Sequence, residues 1–431
     1  MTKTTTAQTP KKKKREPFLL WKFLDFETGF LTKVNLCPNR RYMELLQEEL
    51  SPDDFKATKT NCIKYTRQDS IHGAYFTNDF EWKDYSPAVF RRLLELDSII
   101  SYDDYLLTVC GDDTLRAVSL PGRYGRVYIL PGDKRLVIKT LRKSEKQVYL
   151  EMLPNYYRHV KKYGTSLLKR LYGLHVIRPP GGIKVYFAVC ASVMPSELCL
   201  YKCYDLKGSS VGRARNRLHV HDTAILKDLD FDFCFYLDPL VHARLLAMHG
   251  SVCFVTYESL YDCEFLEAEG IMDYSLLLGM HIDTSRSREG SIDKRNSRSF
   301  DAKKQTDDTS EDDETSSELT LADICDLIDR PGFKFGDGLP ARAVRAFNNE
   351  MESKSYRSSR SQECFNVLLF FGIIDFCQNY NMKKRIEHAF KAIKYDSKSI
   401  NTVNPKAYSS RFQEFLSKVF LPEESDDFDL N

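Results

Sequence analysis

The chain has 431 residues, 42% of them hydrophobic, and its 63 basic against 61 acidic side chains leave a formal charge of +2, so net charge alone excludes little. That length holds one large domain or two smaller ones. Twelve cysteines without a CxxC pair argue against a disulfide framework and for a reduced compartment, and the basic, polar first twenty residues lack the apolar run of a secretory signal.

In chain order, residues 1–17, with the run Lys11, Lys12, Lys13, Lys14 and Arg15, read as a disordered basic tail. Residues 18–80 form an N-terminal extension with weak periodicity and no repeat. Ser86 and Pro87 then open a helix: a serine suits the cap and proline the first turn, and Val89, Phe90, Leu93 and Leu94 fall on one face. Pro121-Gly-Arg-Tyr-Gly leads into a hairpin of Arg126–Leu130 and Arg135–Leu141 around a Pro131-Gly-Asp turn. Residues 144–163 read as a helix interrupted at Pro154. Leu171–Ile177 and Lys184–Val193 form a second strand pair joined by Pro179-Pro-Gly-Gly. Three or more antiparallel strands with a helix suit a small N-terminal lobe.

Beyond Asp205 the pattern changes. Residues 237–249 and 259–269 read as helices, and Ile271–His281 is an apolar run holding one conspicuous acid, Asp273. Residues 283–319 carry almost nothing to bury and read as a disordered insertion. Structure resumes near Leu321 and continues to about Leu421, with helices expected over 385–394 and 407–420, before an acidic tail at 422–431. The apolar stretch Phe365–Ile374 contains Asn366 and is about half the length of a bilayer crossing, so membrane contact is expected to be peripheral.

Several of these segments resemble the phosphatidylinositol phosphate kinase family. The matching pieces are Met152-Leu-Pro-Asn-Tyr-Tyr, Tyr204-Asp-Leu-Lys-Gly-Ser, Thr223-Ala-Ile-Leu-Lys-Asp-Leu-Asp, Cys263-Glu-Phe-Leu-Glu, Ile271-Met-Asp-Tyr-Ser-Leu-Leu-Leu-Gly, Gly372-Ile-Ile-Asp and Tyr408-Ser-Ser-Arg-Phe. They stand in the family's order over residues 81–421. The resemblance implies an α+β, two-lobed kinase-like fold, with a small antiparallel β-rich N-terminal lobe and a larger α/β C-terminal lobe. It also implies ATP and Mg²⁺ as cofactors, a phosphoinositide lipid as substrate, an anionic membrane surface as partner at the cytoplasmic face of the plasma membrane, and a homodimer contact near residues 18–80 as an open expectation.

Phosphoryl transfer needs the triphosphate held, its charge neutralised and the acceptor placed in line. Gly122 and Gly125 can bring turn amides close to phosphate oxygens, although spacing alone fits an ordinary surface turn better. Where the family loop commonly has serines, this chain has Tyr124 and Arg126. Lys139, read at a strand end, is an ordinary solvated charge by pattern; the resemblance implies an ATP-binding lysine. Lys207 is similar to a second family lysine near the nucleotide, while Cys203 stands where an arginine is common. Asp273 is costly if buried alone, yet pattern also fits a loop-end acid; the resemblance places it by the reacting hydroxyl or the metal. Asp375 ends a long apolar strand, where water-facing acids are ordinary, and the resemblance implies a Mg²⁺ ligand.

Residues 375–402 resemble the family's specificity loop. Lys383, Lys384 and Arg385, with Arg213 and Arg215, suit either a solvated face or one that meets anionic lipid. No zinc-finger spacing or RNP-like motif supports nucleic-acid binding. Glu387 matches the glutamate of family members that phosphorylate phosphatidylinositol 4-phosphate at the 5-position, whereas Thr402-Val-Asn-Pro-Lys resembles the 5-phosphate 4-kinases. Met382, Ile386 and Phe390 recur at helical spacing and fit either interfacial insertion or packing on the larger lobe. The expected reaction is the 5-phosphorylation. A 5-phosphate 4-kinase and a weakly catalytic phosphoinositide-binding scaffold are its alternatives.

Overall fold

Alternation in Phe80-Glu-Trp-Lys-Asp-Tyr makes a half-buried strand whose Phe80 and Trp82 face inward. It belongs to a computed structural model that describes residues 49–65, 80–97, 100–110, 116–118, 128–130, 135–164, 166–178, 181–194, 198–214, 225–237, 254–282, 338–345, 364–396 and 399–422. The basic tail, most of the N-terminal extension, Gly122, Tyr124, Gly125, Arg126, Arg215, the 283–319 insertion and the acidic tail beyond Pro422 lie outside the described residues, as do 238–249 and 321–337.

The chain divides into two compact units, residues 1–146 with 171–191, and residues 147–170 with 192–431. The first holds β1 (Thr60–Tyr65), β2 (Phe80–Tyr85), β3 (Arg116–Val118), β4 (Tyr128–Leu130), β5 (Leu136–Leu141), β6 (Leu171–Arg178) and β7 (Val185–Ala191), in the order β1-β2-β6-β7-β5-β4-β3. Every pairing in this sheet is antiparallel. Both expected hairpins are present, and β1 emerges from a region without legible periodicity.

Helix α1 (Pro87–Leu96) buries Val89, Phe90, Leu93 and Leu94. Its cap differs from expectation. Ser86 has a left-handed φ of 43° and makes no side-chain cap; its carbonyl instead accepts from the amides of Val89 and Phe90, while its Oγ is buried without a hydrogen-bond partner. Ser86→Gly removes both the left-handed strain and the stranded hydroxyl. It is expected to stabilise the protein by about 1 kcal/mol, read as a higher urea midpoint. Helix α2 (Tyr102–Cys110) completes the unit's described α-helices apart from the start of α3 (Lys143–Lys162).

Helix α3 runs unbroken through Pro154. An internal proline costs about 3 kcal/mol, but Tyr149, Met152, Leu153, Tyr156 and Val160 are all buried along this helix, and that burial outweighs the lost hydrogen bond.

The second unit's sheet has the order β14-β10-β12-β13-β11-β8-β9, built from β8 (Lys202–Leu206), β9 (Leu226–Lys227), β10 (Phe233–Leu237), β11 (Ser275–Ile282), β12 (Leu339–Arg345), β13 (Cys364–Ile374) and β14 (Phe420–Pro422). Leu237, expected to start a helix, ends β10 because it pairs with Ala341. Helices α4 (Phe254–Ala268), α5 (Met382–Lys394) and α6 (Pro405–Val419) accompany this sheet. Buried Asp262 of α4 ties the unit together: its carboxylate lies 2.6 Å from His159 Nε2 and accepts from Ser166 Oγ and Leu167 N, both at 2.7 Å. All three side chains are buried, so this serine, histidine and aspartate form an internal brace and not a nucleophilic triad.

Candidate active site

β11 and β13 run antiparallel from Ile282 opposite Val367 to Ser275 opposite Ile374. Just past this end, Asp273 precedes β11 and Asp375 follows β13. Both take left-handed backbone, with φ of 66° and 64°, a conformation that aspartate and asparagine tolerate better than most residues. The surrounding main chain holds them there. Met272 N donates to Gln378 O at 2.9 Å, Tyr380 N to Gly270 O at 3.0 Å, and Cys377 N to Asp375 O at 2.8 Å. Below, Phe376 is buried against the rings of Tyr149 and Tyr156, and the Tyr408 hydroxyl donates to the Tyr274 carbonyl.

Lys207 reaches the same end because β8 pairs with β11, Leu206 opposite Leu276. Its buried Nζ donates to Asp273 Oδ1 and to Asp273 O, each at 2.6 Å. The lysine is aimed by Asp228, whose Oδ1 accepts from the amides of Lys207 and Gly208 at 2.7 Å each. Gly208 has φ of 67°, and a Cβ there would meet Phe415 at 2.8 Å, so no other residue fits.

Arg213 corrects a sequence expectation. It does not add to a lipid-facing surface but is buried, with Nε donating to Asp228 Oδ2 at 2.5 Å and its guanidinium donating to Asp205 Oδ1 at 3.0 Å. Burial opposes its charge, but Asp205 and Asp228 more than offset this and raise its pKa. Nothing in the sequence separated such a structural ion pair from a solvated charge, since its partners lie eight residues back and fifteen ahead. Asp228 carried no assigned role either; its place inside one of the family-like segments was the only signal. Cys203, opposite Gly279 in β8, is pushed up to about 11 by burial, so this position is neutral at physiological pH.

Lys139 is a second correction. It stands inside β5, paired with Tyr128 on β4 and Ala188 on β7, and is 4% exposed. A solvated charge at a strand end is therefore excluded. It belongs to the first unit, whereas Asp273, Asp375 and Lys207 belong to the second.

Helix α5 carries the remaining candidates. Asn381 caps it by accepting from Lys384 N at 3.2 Å, and none of its residues is buried. Met382, Ile386, Phe390 and Ile393 stand exposed, the last two at 71% and 85%. This face is therefore not packed on the larger unit. Lys383, Lys384 and Arg385 occupy its first turn, Arg385 lying over the Tyr380 ring at 5.8 Å. Glu387 accepts from Lys384 at 2.8 Å on Oε2, and from Lys391 at 2.6 Å and Thr402 at 2.8 Å on Oε1. Partial burial would raise this carboxyl, but hydrogen bonds from Lys384, Lys391 and Thr402 prevail and hold it at about 2. A depressed carboxylate pKa gives stability that is complete above its unfolded value, near 4.5, and disappears as pH falls towards 2. A carbon-13 titration is accordingly expected to find Glu387 ionised throughout the range above pH 4.

Among the described residues no group of three or more His, Cys, Asp or Glu side chains is arranged to hold a metal. Mg²⁺ needs fewer: one or two carboxylates and phosphate oxygens suffice, and Asp273 with Asp375 meets that requirement. Two acids beyond the paired ends of β11 and β13, one of them bonded to a buried lysine, are chemistry that phosphoryl transfer can use, and the chain has an α+β, kinase-like fold.

The sequence model of the family described as Phosphatidylinositol-4-phosphate 5-Kinase matches residues 109–419, and the chain belongs to that family. It is 37% identical over 440 residues to phosphatidylinositol 4-phosphate 5-kinase 10 of Arabidopsis thaliana, an alignment covering 88% of this chain and 99% of that protein. It is 38% identical over 365 residues to phosphatidylinositol 4-phosphate 5-kinase 1 of the same plant, covering 80% and 46%. The chain is thus a phosphoinositide kinase, an enzyme class that draws its phosphoryl group from ATP.

Proposed function

We propose that this chain transfers the γ-phosphoryl group of ATP to the 5-hydroxyl of phosphatidylinositol 4-phosphate, giving the 4,5-bisphosphate, at an anionic membrane surface. The observation that carries the reading is the meeting of Asp273, Lys207 and Asp375 beyond the paired ends of β8, β11 and β13. Asp273, fixed through Lys207, receives and orients the inositol hydroxyl. Asp375 would hold Mg²⁺, which when bound would neutralise charge on the transferring phosphate. Lys139 contributes a compact positive charge to phosphate oxygens, with Gly122 and Gly125, outside the described residues, as further phosphate contacts. Glu387 and the cations around it select the lipid.

Membrane contact falls to α5, where exposed Met382, Ile386, Phe390 and Ile393 accompany Lys383, Lys384 and Arg385. No helix of the described residues is long and apolar enough to cross a bilayer, and the proposed location is the cytoplasmic face of the plasma membrane. Replacing both Phe390 and Ile393 by alanine is expected to weaken binding to anionic vesicles about tenfold or more, the equivalent of burying part of two large side chains, as measured by sedimentation. A homodimer through residues 18–80 belongs to the same proposal, and sedimentation velocity is its check.

The deciding experiment is labelled-phosphate transfer from ATP and Mg²⁺ to vesicles carrying either the 4-phosphate or the 5-phosphate lipid, with Glu387→Ala in parallel. Preference for the 4-phosphate, relaxed in Glu387→Ala, supports the reading. Preference for the 5-phosphate makes the chain a 4-kinase, and vesicle binding without product makes it a scaffold.

A further inference from the structure

We infer that Thr402 is a positioning residue that sets lipid selectivity by fixing the Glu387 carboxylate; the inference rests on Glu387 selecting the lipid, as proposed above. Thr402 is 2% exposed, and its Oγ1 donates to Glu387 Oε1 at 2.8 Å while accepting from Lys391 Nζ at 3.3 Å. One carboxylate oxygen is thereby pinned to a buried floor, and the other is held by Lys384.

This contact matters because α5 has little else to locate it. None of its residues is buried. Its ties among the described residues include the Asn381 cap, the Tyr380 ring beside Arg385 and its hydroxyl 2.7 Å from His388 Nδ1, and the Glu387 cluster. Of the groups around Glu387, Lys384 and Lys391 ride on the same helix and move with it. Thr402 does not, so it is the member of the cluster that fixes Glu387 against the rest of the unit.

The floor itself is joined to the catalytic end. Ser210 and Val211 donate their amides to Ser399 O at 3.2 and 2.9 Å, and Ser209 Oγ donates to Asn401 Oδ1. From the other side, Arg411 of α6 donates to Ile400 O at 2.6 Å. Only Gly208 separates the 209–211 segment from Lys207, whose Nζ holds Asp273. An unbroken set of contacts therefore runs from the acid at the acceptor hydroxyl to the carboxylate that reads the lipid, and Thr402 supplies its last link. A fixed spacing between those two carboxylates is what distinguishes the inositol 4-phosphate from the 5-phosphate, because these substrates differ in which ring position carries the phosphate and which is left to react.

The test compares the full chain with Thr402→Val, which keeps shape and loses the hydroxyl, and Thr402→Ser, which keeps the hydroxyl. The readouts are the ratio of kcat/KM for the two lipids in vesicles and amide exchange across residues 382–394. Thr402→Val is expected to shift that ratio towards unity by about tenfold, the scale of one hydrogen bond to a charged group, with faster exchange in α5. Thr402→Ser is expected to retain the ratio within about twofold. An unchanged ratio in Thr402→Val overturns the inference, and faster exchange with that unchanged ratio marks a merely structural contact. A parent enzyme that prefers the 5-phosphate overturns the functional reading alone, since the movement of the ratio between parent and Thr402→Val still decides the role of Thr402.

Discussion

Asp375→Asn is expected to fold like the parent and to lose about a thousandfold in kcat, the scale of removing a group that stabilises transition-state charge. The substitution isolates charge from backbone. At a φ of 64° asparagine is as comfortable as aspartate, and the bond from Cys377 N to the residue 375 carbonyl does not involve the side chain. The change removes the carboxylate's charge while keeping its shape, so KM for lipid should change little. Asp375→Ala adds strain at the same position and mixes the two effects. Labelled-phosphate transfer and thermal melting of the same preparations separate them, and a kcat within fivefold of the parent would remove Asp375 from the mechanism.

Asp228→Ala is expected to cost about 3–5 kcal/mol, the range found when one partner of a buried ion pair is deleted. Its Oδ1 receives three main-chain amides, from Lys207, Gly208 and, at 3.4 Å, Ser209, and its Oδ2 receives Arg213 Nε. Truncation leaves those donors buried, with Asp205 alone facing the guanidinium. Activity should fall with stability, because the same amides aim Lys207 at Asp273. Asp228→Asn, which keeps an acceptor oxygen but not the charge, should fall between the two. A urea midpoint for Asp228→Ala equal to that of the parent would show that the clamp contributes nothing.

Local pattern was enough for α1, whose four buried residues are those that helical spacing picked out, and for the strand pairs around residues 128–141 and 171–191. What escaped was set by distant partners. Lys139 looked terminal because the apolar run around it stops, yet flanking strands β4 and β7 bury it. Arg213 in a glycine turn looked solvated; its carboxylates come from β8 and from the turn after β9. Pro154 carried a strong local breaker signal, which the buried face of α3 overrode. At the site, pattern alone singled out Asp273 as a conspicuous acid in an apolar run and left Asp375 an ordinary strand-end acid, and the family resemblance supplied the chemistry expected of both. The Lys207–Asp273 pair and the meeting of Glu387 with Thr402, two positions whose family likenesses pointed to different substrates, needed coordinates.

The strand order of the first sheet constrains how the protein is made. β6 and β7 sit between β2 and β5, although the chain produces them after β1 to β5 and after helix α3. A nascent chain that has emerged only to residue 146 therefore has two sheet fragments and no centre to join them, with the facing edges of β2 and β5 open until residue 191 is out. During translation those edges are a sticking hazard. A fragment ending at residue 146 should accordingly be insoluble when expressed alone, while one that ends after Ala191 at least contains every strand of that sheet.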